Sequence, residues 1–536
     1  MQQNSTFTES RQTQSQKMNS ETISFKDTGI FSGIFLDYIS KSKALEKFYN
    51  VAPEIKNFPT LIDGKEFEDE KRETLFSVLS QQYQSLDVKD AASQNLVLLK
   101  KSNTFTITTG HQLNILSGPL YFIYKIVSVI NACKKLNKQF PDYNFVPVYW
   151  MAGEDHDFEE INHFNLFGKK FEWHSEQSGP VGKFDPRELK ELLEGLPEKM
   201  ALFEKAYLEH STLSEATRYY VNELFGMEGL IVLDSDHESF KRSFIPIIKD
   251  DLKNHHANKL VEDESEKLAQ AGYKTQVFPR SINFFYMEKG SRERIVHEGG
   301  QYKVLNTQLE FTEQEMMSLV DTNPEKFSPN VILRPLYQEC ILPNLAYIGG
   351  PGELAYWLQL KGVFDHYEVQ YPMLIPRNHA LIVNKGNQKK LNKLDLMPSD
   401  LFQGFQSLKD KFLKAQDARE IDLSNQREEI SLIFKQIINL SKEVDGSLEG
   451  FVAAEENKSL KSLDNIEKRL KKSEESKSEV SLQQIKSILD KLFPNGVPQE
   501  RNDNFLNFYI NNPEFIQILL KNFNPFELSF TLLMDE

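Results

Sequence analysis

Four short runs of this 536-residue sequence concentrate the residue types that bind anions, hold cations and move protons. The first is Thr109-Gly110-His111-Gln112, followed closely by Ser117-Gly118-Pro119. A glycine beside histidine and glutamine lets backbone approach a ligand while two side chains hydrogen-bond it. The second is Glu154-Asp155-His156-Asp157, with Asn162 and His163 shortly after. Three carboxylates around an imidazole are costly to hold together without a cation, an ammonium group or a hydrogen-bond network. They suit Mg²⁺ binding, capture of an amine, or general-base work. His156 with His163 also invites zinc, but no third ligand stands at helical spacing, so no metal set is assigned. The third run, Gly349-Gly350-Pro351-Gly352-Glu353, opens a helix whose free N–H groups would hold an anion. It reads equally as a tight turn with Glu353 as a stabilising carboxylate. The fourth is Asp234-Ser235-Asp236-His237. Lys125, Arg334 and Arg377 lie beside these runs, placed to meet a carboxylate or phosphate, or to serve as structural ion-pair partners.

Each run closes an apolar stretch. Phe105–Thr109, Phe145–Trp150, Gly229–Leu233, Asn344–Ile348 and Pro372–Ile375 read as buried strands of a parallel sheet. Tyr121–Leu136 reads as the helix joining the first two, with Tyr121 at an N-terminus that favours phosphate. The fold class is therefore α/β, a Rossmann-type parallel sheet with inserted connecting segments. Ligands in such sheets sit beyond the carboxyl ends of the strands, so the four runs should converge there. Alternating segments at about 275–310 predict an inserted pair of β-hairpins.

From about residue 401 the apolar positions turn heptad-like. Ile430, Ile433, Ile437, Leu440 and Val444 step by three and four, and Leu460, Leu463, Ile466 and Leu470 form a second run. The expected division is a disordered polar tail over 1–26 and a core over 27–400. An α-helical coiled coil over 401–475 and a C-terminal segment, 476–536, folded back on the core, complete it. The exposed stripe of the coiled coil predicts a homodimer.

A formal net charge of −15 argues against a nucleic-acid partner. No run of 18 apolar residues predicts a membrane span. Two isolated cysteines, Cys133 and Cys340, fit a reducing compartment, and the expected location is cytoplasmic.

Three blocks carry a resemblance. They are Thr109-Gly110-His111-Gln112 with Leu116–Tyr121 and Tyr124-Lys125; Trp150–Phe158 with Asn162-His163; and Arg334-Pro335 with Tyr347–Trp357. In this order, across residues 105 to 377, the sequence resembles the cysteine-adding enzymes of bacillithiol biosynthesis. The resemblance implies a Rossmann-type body reminiscent of class I aminoacyl-tRNA synthetases and a coiled coil that serves dimerisation. It implies joining the carboxyl of cysteine to the amine of glucosaminyl-malate, with ATP expected as co-substrate and Mg²⁺ allowed. His111, Gln112 and the Gly118 loop would cradle the nucleotide, while Glu154, Asp155 and Asp157 would hold an ammonium or Mg²⁺. Arg334 or Arg377 would meet the malate carboxylates or a phosphate. The sequence departs from the synthetases in having no second histidine after the first strand and no Lys-Met-Ser-Lys-Ser loop. Two other readings stay open: a metal-dependent hydrolase built on Glu154–His163, and a nucleotide-binding coiled-coil scaffold.

Overall fold

The structure, a computed structural model, describes residues 18–415, 421–476 and 478–535. The chain forms two compact units: one runs to Leu381 and resumes at Val497, the other is Ile382–Gly496. The division thus falls before the expected residue 401, and the closing segment joins the first unit from 497 rather than 476.

The first unit is built on five parallel strands: β1 (Thr104–His111), β2 (Asn144–Met151), β3 (Ile231–Asp234), β4 (Asn344–Gly349) and β5 (Met373–Pro376). Their order is β5-β4-β1-β2-β3. From β1 the chain winds outward through β2 and β3, then returns to β1's other edge with β4 and β5. The switch point therefore lies between β1 and β4, where open α/β sheets bind ligands. The register aligns the strand ends: His111 pairs with Met151, Met151 with Asp234, and Gly349 with Pro376.

Burial on both faces explains the unbroken apolar strands. Phe105, Ile107, Phe145, Ile348 and Ile375 pack with Val129, Cys133 and Leu136 of helix α1 (Tyr121–Gln139). Pro147, with no N–H to give, sits inside β2, but β3 pairs only from Val148 onward, so little of the ladder is lost there. Polar residues inside the sheet are paired: Thr106 and Thr108 donate to Asn344 Oδ1 at 3.1 and 2.8 Å. Helices α2 (Arg334–Ile341) and α3 (Pro351–Trp357) flank β4.

Between β3 and β4 the chain inserts a five-stranded antiparallel sheet, Phe284–Glu288, Ser291–Glu298, Gln301–Val304, Glu310–Phe311 and Phe327–Pro329, across the region where hairpins are expected. The expectation of a disordered tail over 1–26 needs correction. Residues 1–17 lie outside the described residues, but Met18–Ser24 is a strand paired antiparallel with Ser529–Asp535. Its polar composition suits an edge strand whose hydrogen bonds come from the far end of the chain.

The second unit contains a hairpin of two long helices, α4 (Ser424–Val444) and α5 (Glu449–Ser476), turned at Asp445–Leu448 and tied by an Arg427–Asp464 ion pair. Phe434, Ile438 and Ser441 face inward. Ile433, Ile437, Leu440 and Val444 of the expected seam remain exposed, Val444 by 75%.

Candidate active site

A cleft of about 500 Å³ opens over the carboxyl ends of β1, β2 and β4. Gly110, His111, Gln112, Tyr121 and Lys125 line it from the β1–α1 side. Glu154 and Asp155 enter from β2, Arg334 from α2, and Gly350, Gly352 and Glu353 from the β4–α3 turn. Arg377 closes the end beyond β5. The convergence expected from strand order is therefore present, but the side chains divide the work differently from the expectation.

Lys125 and Glu353 form the hinge of the site. Lys125 Nζ donates to Gly110 O at 2.8 Å and lies 2.7 Å from Glu353 Oε2. Glu353 also accepts from Tyr347 Oη at 2.7 Å and from the Gly350 N–H at 2.8 Å. Burial lowers the Lys125 pKa, with Glu353 opposing; burial would raise Glu353, but the Lys125 charge and these donors hold it below the usual carboxylate range. The anion reading of the Gly349–Gly352 loop needs correction at its central N–H: the Gly350 donor is taken by Glu353 in a capping arrangement. Gly349 is a packing glycine, since a Cβ there would lie 2.9 Å from the Tyr347 ring.

Gly118 also leaves the candidate set. It has φ +60°, and a Cβ would meet Asn114 Cβ at 2.5 Å. Asn504 Nδ2 donates to the carbonyls of Leu116 and Gly118, both at 2.7 Å, so this turn is a scaffold held by the C-terminal segment. Gly110 by contrast needs its missing side chain at the cleft, where a Cβ would stand 3.2 Å from Tyr347 Oη.

The acidic run splits. Glu154 turns inward to a fully buried Lys241 at 2.8 Å and accepts from Ser235 Oγ at 3.2 Å. Asp155 faces the cleft, where Gln112 Nε2 donates to Asp155 Oδ2 at 2.9 Å and to Glu160 Oε2 at 2.6 Å. Two carboxylates thus converge on one uncharged amide nitrogen, and the Arg292 guanidinium stands 3.9 Å from Asp155 Oδ1 as a cation beside them. His156 and Asp157 are exposed at the rim. His156 Nδ1 meets Arg292 Nη1 at 2.8 Å, and its pKa is lowered by burial and then by that guanidinium. Asp157 heads a short helix without capping it. Asn162 is buried against His163 Nδ1 at 3.0 Å, outside the cleft lining. Among the described residues no three His, Cys or acidic side chains of 154–163 bring their ligand atoms together.

The cations divide as well. Arg377 is buried and committed to Glu500, Nη2 to Oε1 at 2.7 Å, a partner 123 residues away. Arg334 has no carboxylate partner among the described residues. Its guanidinium lies over the rings of Trp150 and Tyr347 at 5.9 and 5.7 Å and bonds only neutral groups, Gln338 at 3.2 Å and Tyr356 at 3.5 Å. Among the described residues two buried nitrogens at the cleft, His111 Nε2 and Arg377 Nε, have no hydrogen-bond partner. Burial, reinforced by Lys125 and Arg377, holds His111 well below the usual histidine range, so the ring is neutral.

Sequence reasoning missed Glu160, Arg292 and Arg501, which also line the cleft. Arg292 arrives from the inserted sheet and Arg501 from the C-terminal segment, and neither stands in a run that marks it. In the sequence, Tyr347 and Tyr356 read as parts of a strand, a helix and the third resembling block, with no role of their own.

A parallel Rossmann-like body with a polar cleft at its switch point, joined to an α-helical coiled-coil unit, defines the class of protein. Two family models match: the N-terminal Rossmann-like domain of bacillithiol biosynthesis BshC over residues 18–378, and its C-terminal coiled-coil domain over 380–534. The chain belongs to this BshC family. Proteins named "Putative cysteine ligase BshC" from Flavobacterium psychrophilum and Flavobacterium johnsoniae are 44% and 43% identical to it. These matches cover 96% of this chain in both cases and 99% and 100% of the relatives. The protein of that name from Bacillus cereus is 28% identical, over 89% of this chain and 93% of its own.

Proposed function

We propose that the cleft is the active site of a cysteine ligase that joins the carboxyl of L-cysteine to the amine of glucosaminyl-malate, completing bacillithiol. The family supports the ligase role. The observation that carries the site assignment is the placing of unlike charges around one cleft: Asp155 and Glu160 share one amide donor on one wall, with Arg292 3.9 Å from Asp155, and Arg334, in no direct ion pair among the described residues, stands on another.

The geometry suits the two ends of such a reaction. A substrate ammonium fits between Asp155 and Glu160, and a malate carboxylate or a phosphate fits the planar Arg334 guanidinium, which lies against the Trp150 and Tyr347 rings. Amide formation needs the amine nitrogen free of its extra proton, and Asp155 is placed to accept it. The nitrogen lone pair then attacks the activated cysteine carbonyl, the leaving group departs with the C–O electron pair, and the nitrogen's second proton passes to that leaving group or to solvent. ATP is the co-substrate we propose, because a free carboxylate has no adequate leaving group; when bound, ATP supplies one. The buried Arg377 Nε, without a partner among the described residues, supports a ligand acceptor oxygen at that end, and His111 Nε2 offers a donor or an acceptor there according to its tautomer. Mg²⁺, where used, would rest on Asp155 or Glu160 together with phosphate oxygens, as that ion commonly does.

The cellular test is thiol-metabolite analysis of cells lacking the gene. Glucosaminyl-malate should accumulate and bacillithiol disappear, with restoration by the wild-type gene and not by Asp155→Asn. Normal bacillithiol in the deletion strain contradicts the proposal.

A further inference from the structure

A second cluster of chemistry-bearing side chains lies outside the cleft, at a helical elbow of the first unit. Helix Ile245–Asn254 ends at His255, whose φ of +55° turns the chain directly into helix His256–Gln270. The turn lays His256 Nδ1 2.9 and 3.0 Å from the two oxygens of Asp250. From a third helix, Lys361–His366, His366 presents Nε2 4.0 Å from Asp250 Oδ2, and its ring centre lies 4.6 Å from that of His256. One ligand atom from each of the three residues lies within 4.8 Å of the others.

We propose that Asp250, His256 and His366 form a zinc site that clips the elbow to the third helix. Two imidazoles and one carboxylate are a donor set that Zn²⁺ favours over Mg²⁺ or Ca²⁺, which prefer all-oxygen shells. Bonds of about 2.0–2.2 Å in a tetrahedral shell put ligand atoms roughly 3.3–3.5 Å apart, so small side-chain rotations close this triangle around an ion. The carboxylate is already oriented from behind: Tyr367 Oη donates to Oδ2 at 2.6 Å and Asn254 Nδ2 to Oδ1 at 2.7 Å. Such outer partners are the usual support of a ligating carboxylate. His256 is hydrogen-bonded to Asp250, whereas His366, its ring tilted 51° to that of His256, stands at 4.0 Å from the carboxylate, too long for a hydrogen bond, so the three donors converge without closing on one another. The side chains are partly exposed, His256 by 45% and Asp250 by 20%, which leaves an entry path and a fourth position for water.

The experiment uses the untagged full chain, stripped with a chelator and then titrated with ZnCl₂ against a chromophoric competitor. One equivalent should bind with Kd in about the micromolar range or tighter, and Co²⁺ should give visible tetrahedral d–d bands. His256→Ala and His366→Ala should each weaken binding at least ~10-fold, and Tyr367→Phe by about 10-fold through the lost outer bond. His366→Gln, closer in shape, guards against misfolding, with each variant's melting curve recorded without metal. Absence of stoichiometric binding overturns the proposal, as does zinc affinity unchanged in both folded His366 variants. Neither outcome bears on the ligase reading, because the cleft shares none of these residues.

Discussion

Lys125 Nζ lies 2.7 Å from Glu353 Oε2, and this pair ties helix α1, which follows β1, to the turn that follows β4 across the switch point of the sheet. It fixes the gap that the cleft occupies. Removing one partner leaves the other poorly compensated, so Glu353→Ala should cost about 2–4 kcal/mol of stability by denaturant unfolding. Lys125→Met, which deletes the buried charge itself, should cost less in the Glu353→Ala background than alone. Additive losses in that double-mutant cycle would remove the pair from the account.

Buried groups of the first unit should pull its stability in opposite directions in mild acid. His379 is buried against Glu500 and pushed down to about 4, chiefly by burial and then by Arg377; His111 is lowered for the same first reason. Their folded pKa values lie below the unfolded value near 6.5, so the unfolded chain binds more protons between the two. Stability is full above about pH 6.5 and falls as pH drops toward 4, by up to about 3 kcal/mol for His379. Glu500, held well below the carboxylate range by Arg377 and His379 against the opposing effect of burial, adds a further loss at lower pH. Asp251, pushed up to about 7 by burial, works the other way, because the folded chain takes up its proton first as pH falls. The His379 contribution is therefore read as a difference: between pH 7 and pH 5 the wild type should lose melting temperature relative to His379→Gln, and parallel profiles contradict this.

Two glycines in look-alike motifs should respond in opposite ways. Gly118→Ala places a methyl group at positive φ and against Asn114 Cβ, and should cost at least about 2 kcal/mol. At Gly350 the φ is −76°, and a Cβ meets nothing closer than Glu353 Oε2 at 3.4 Å, so Gly350→Ala should stay within about 1 kcal/mol. Melting curves of the two variants check the contrast, and equal losses would refute it.

That contrast shows what the sequence could and could not disclose. Unbroken apolar runs at Phe145–Trp150 and Asn344–Ile348 announced parallel strands because burial on both faces leaves no polar alternation to obscure them. The polar residues at their ends then marked the cleft. What each polar residue bonds was hidden, because its partner is remote in the chain. Glu154 takes Lys241, Arg377 takes Glu500, and Asn504 holds the Gly118 turn. Local spacing carries no information about such pairs. It gave Gly118 and Gly350 the same look, although one supports a bend and the other borders the cleft. Met18–Ser24 was hidden for the same reason, since its strand partner begins at Ser529.

Exposed Ile437 and Leu440 on α4 should be the dimer contact that the coiled-coil stripe predicts. The wild-type chain should sediment as a dimer, and Ile437→Glu with Leu440→Glu as a monomer whose near-ultraviolet spectrum is unchanged. A wild-type monomer, or a double variant that stays dimeric, rejects this seam.

The most direct test of the central claim is reconstitution with purified protein, L-cysteine, glucosaminyl-malate, ATP and Mg²⁺, with bacillithiol measured by mass spectrometry. The account predicts product only when both substrates and ATP are present, and nucleotide cleavage in step with it. Arg334→Ala, with its fold intact by melting curve, should lower kcat/KM at least about 100-fold, roughly the 3 kcal/mol of a lost charge-assisted contact. Product formed without ATP, or an Arg334→Ala enzyme of undiminished kcat/KM, would contradict it.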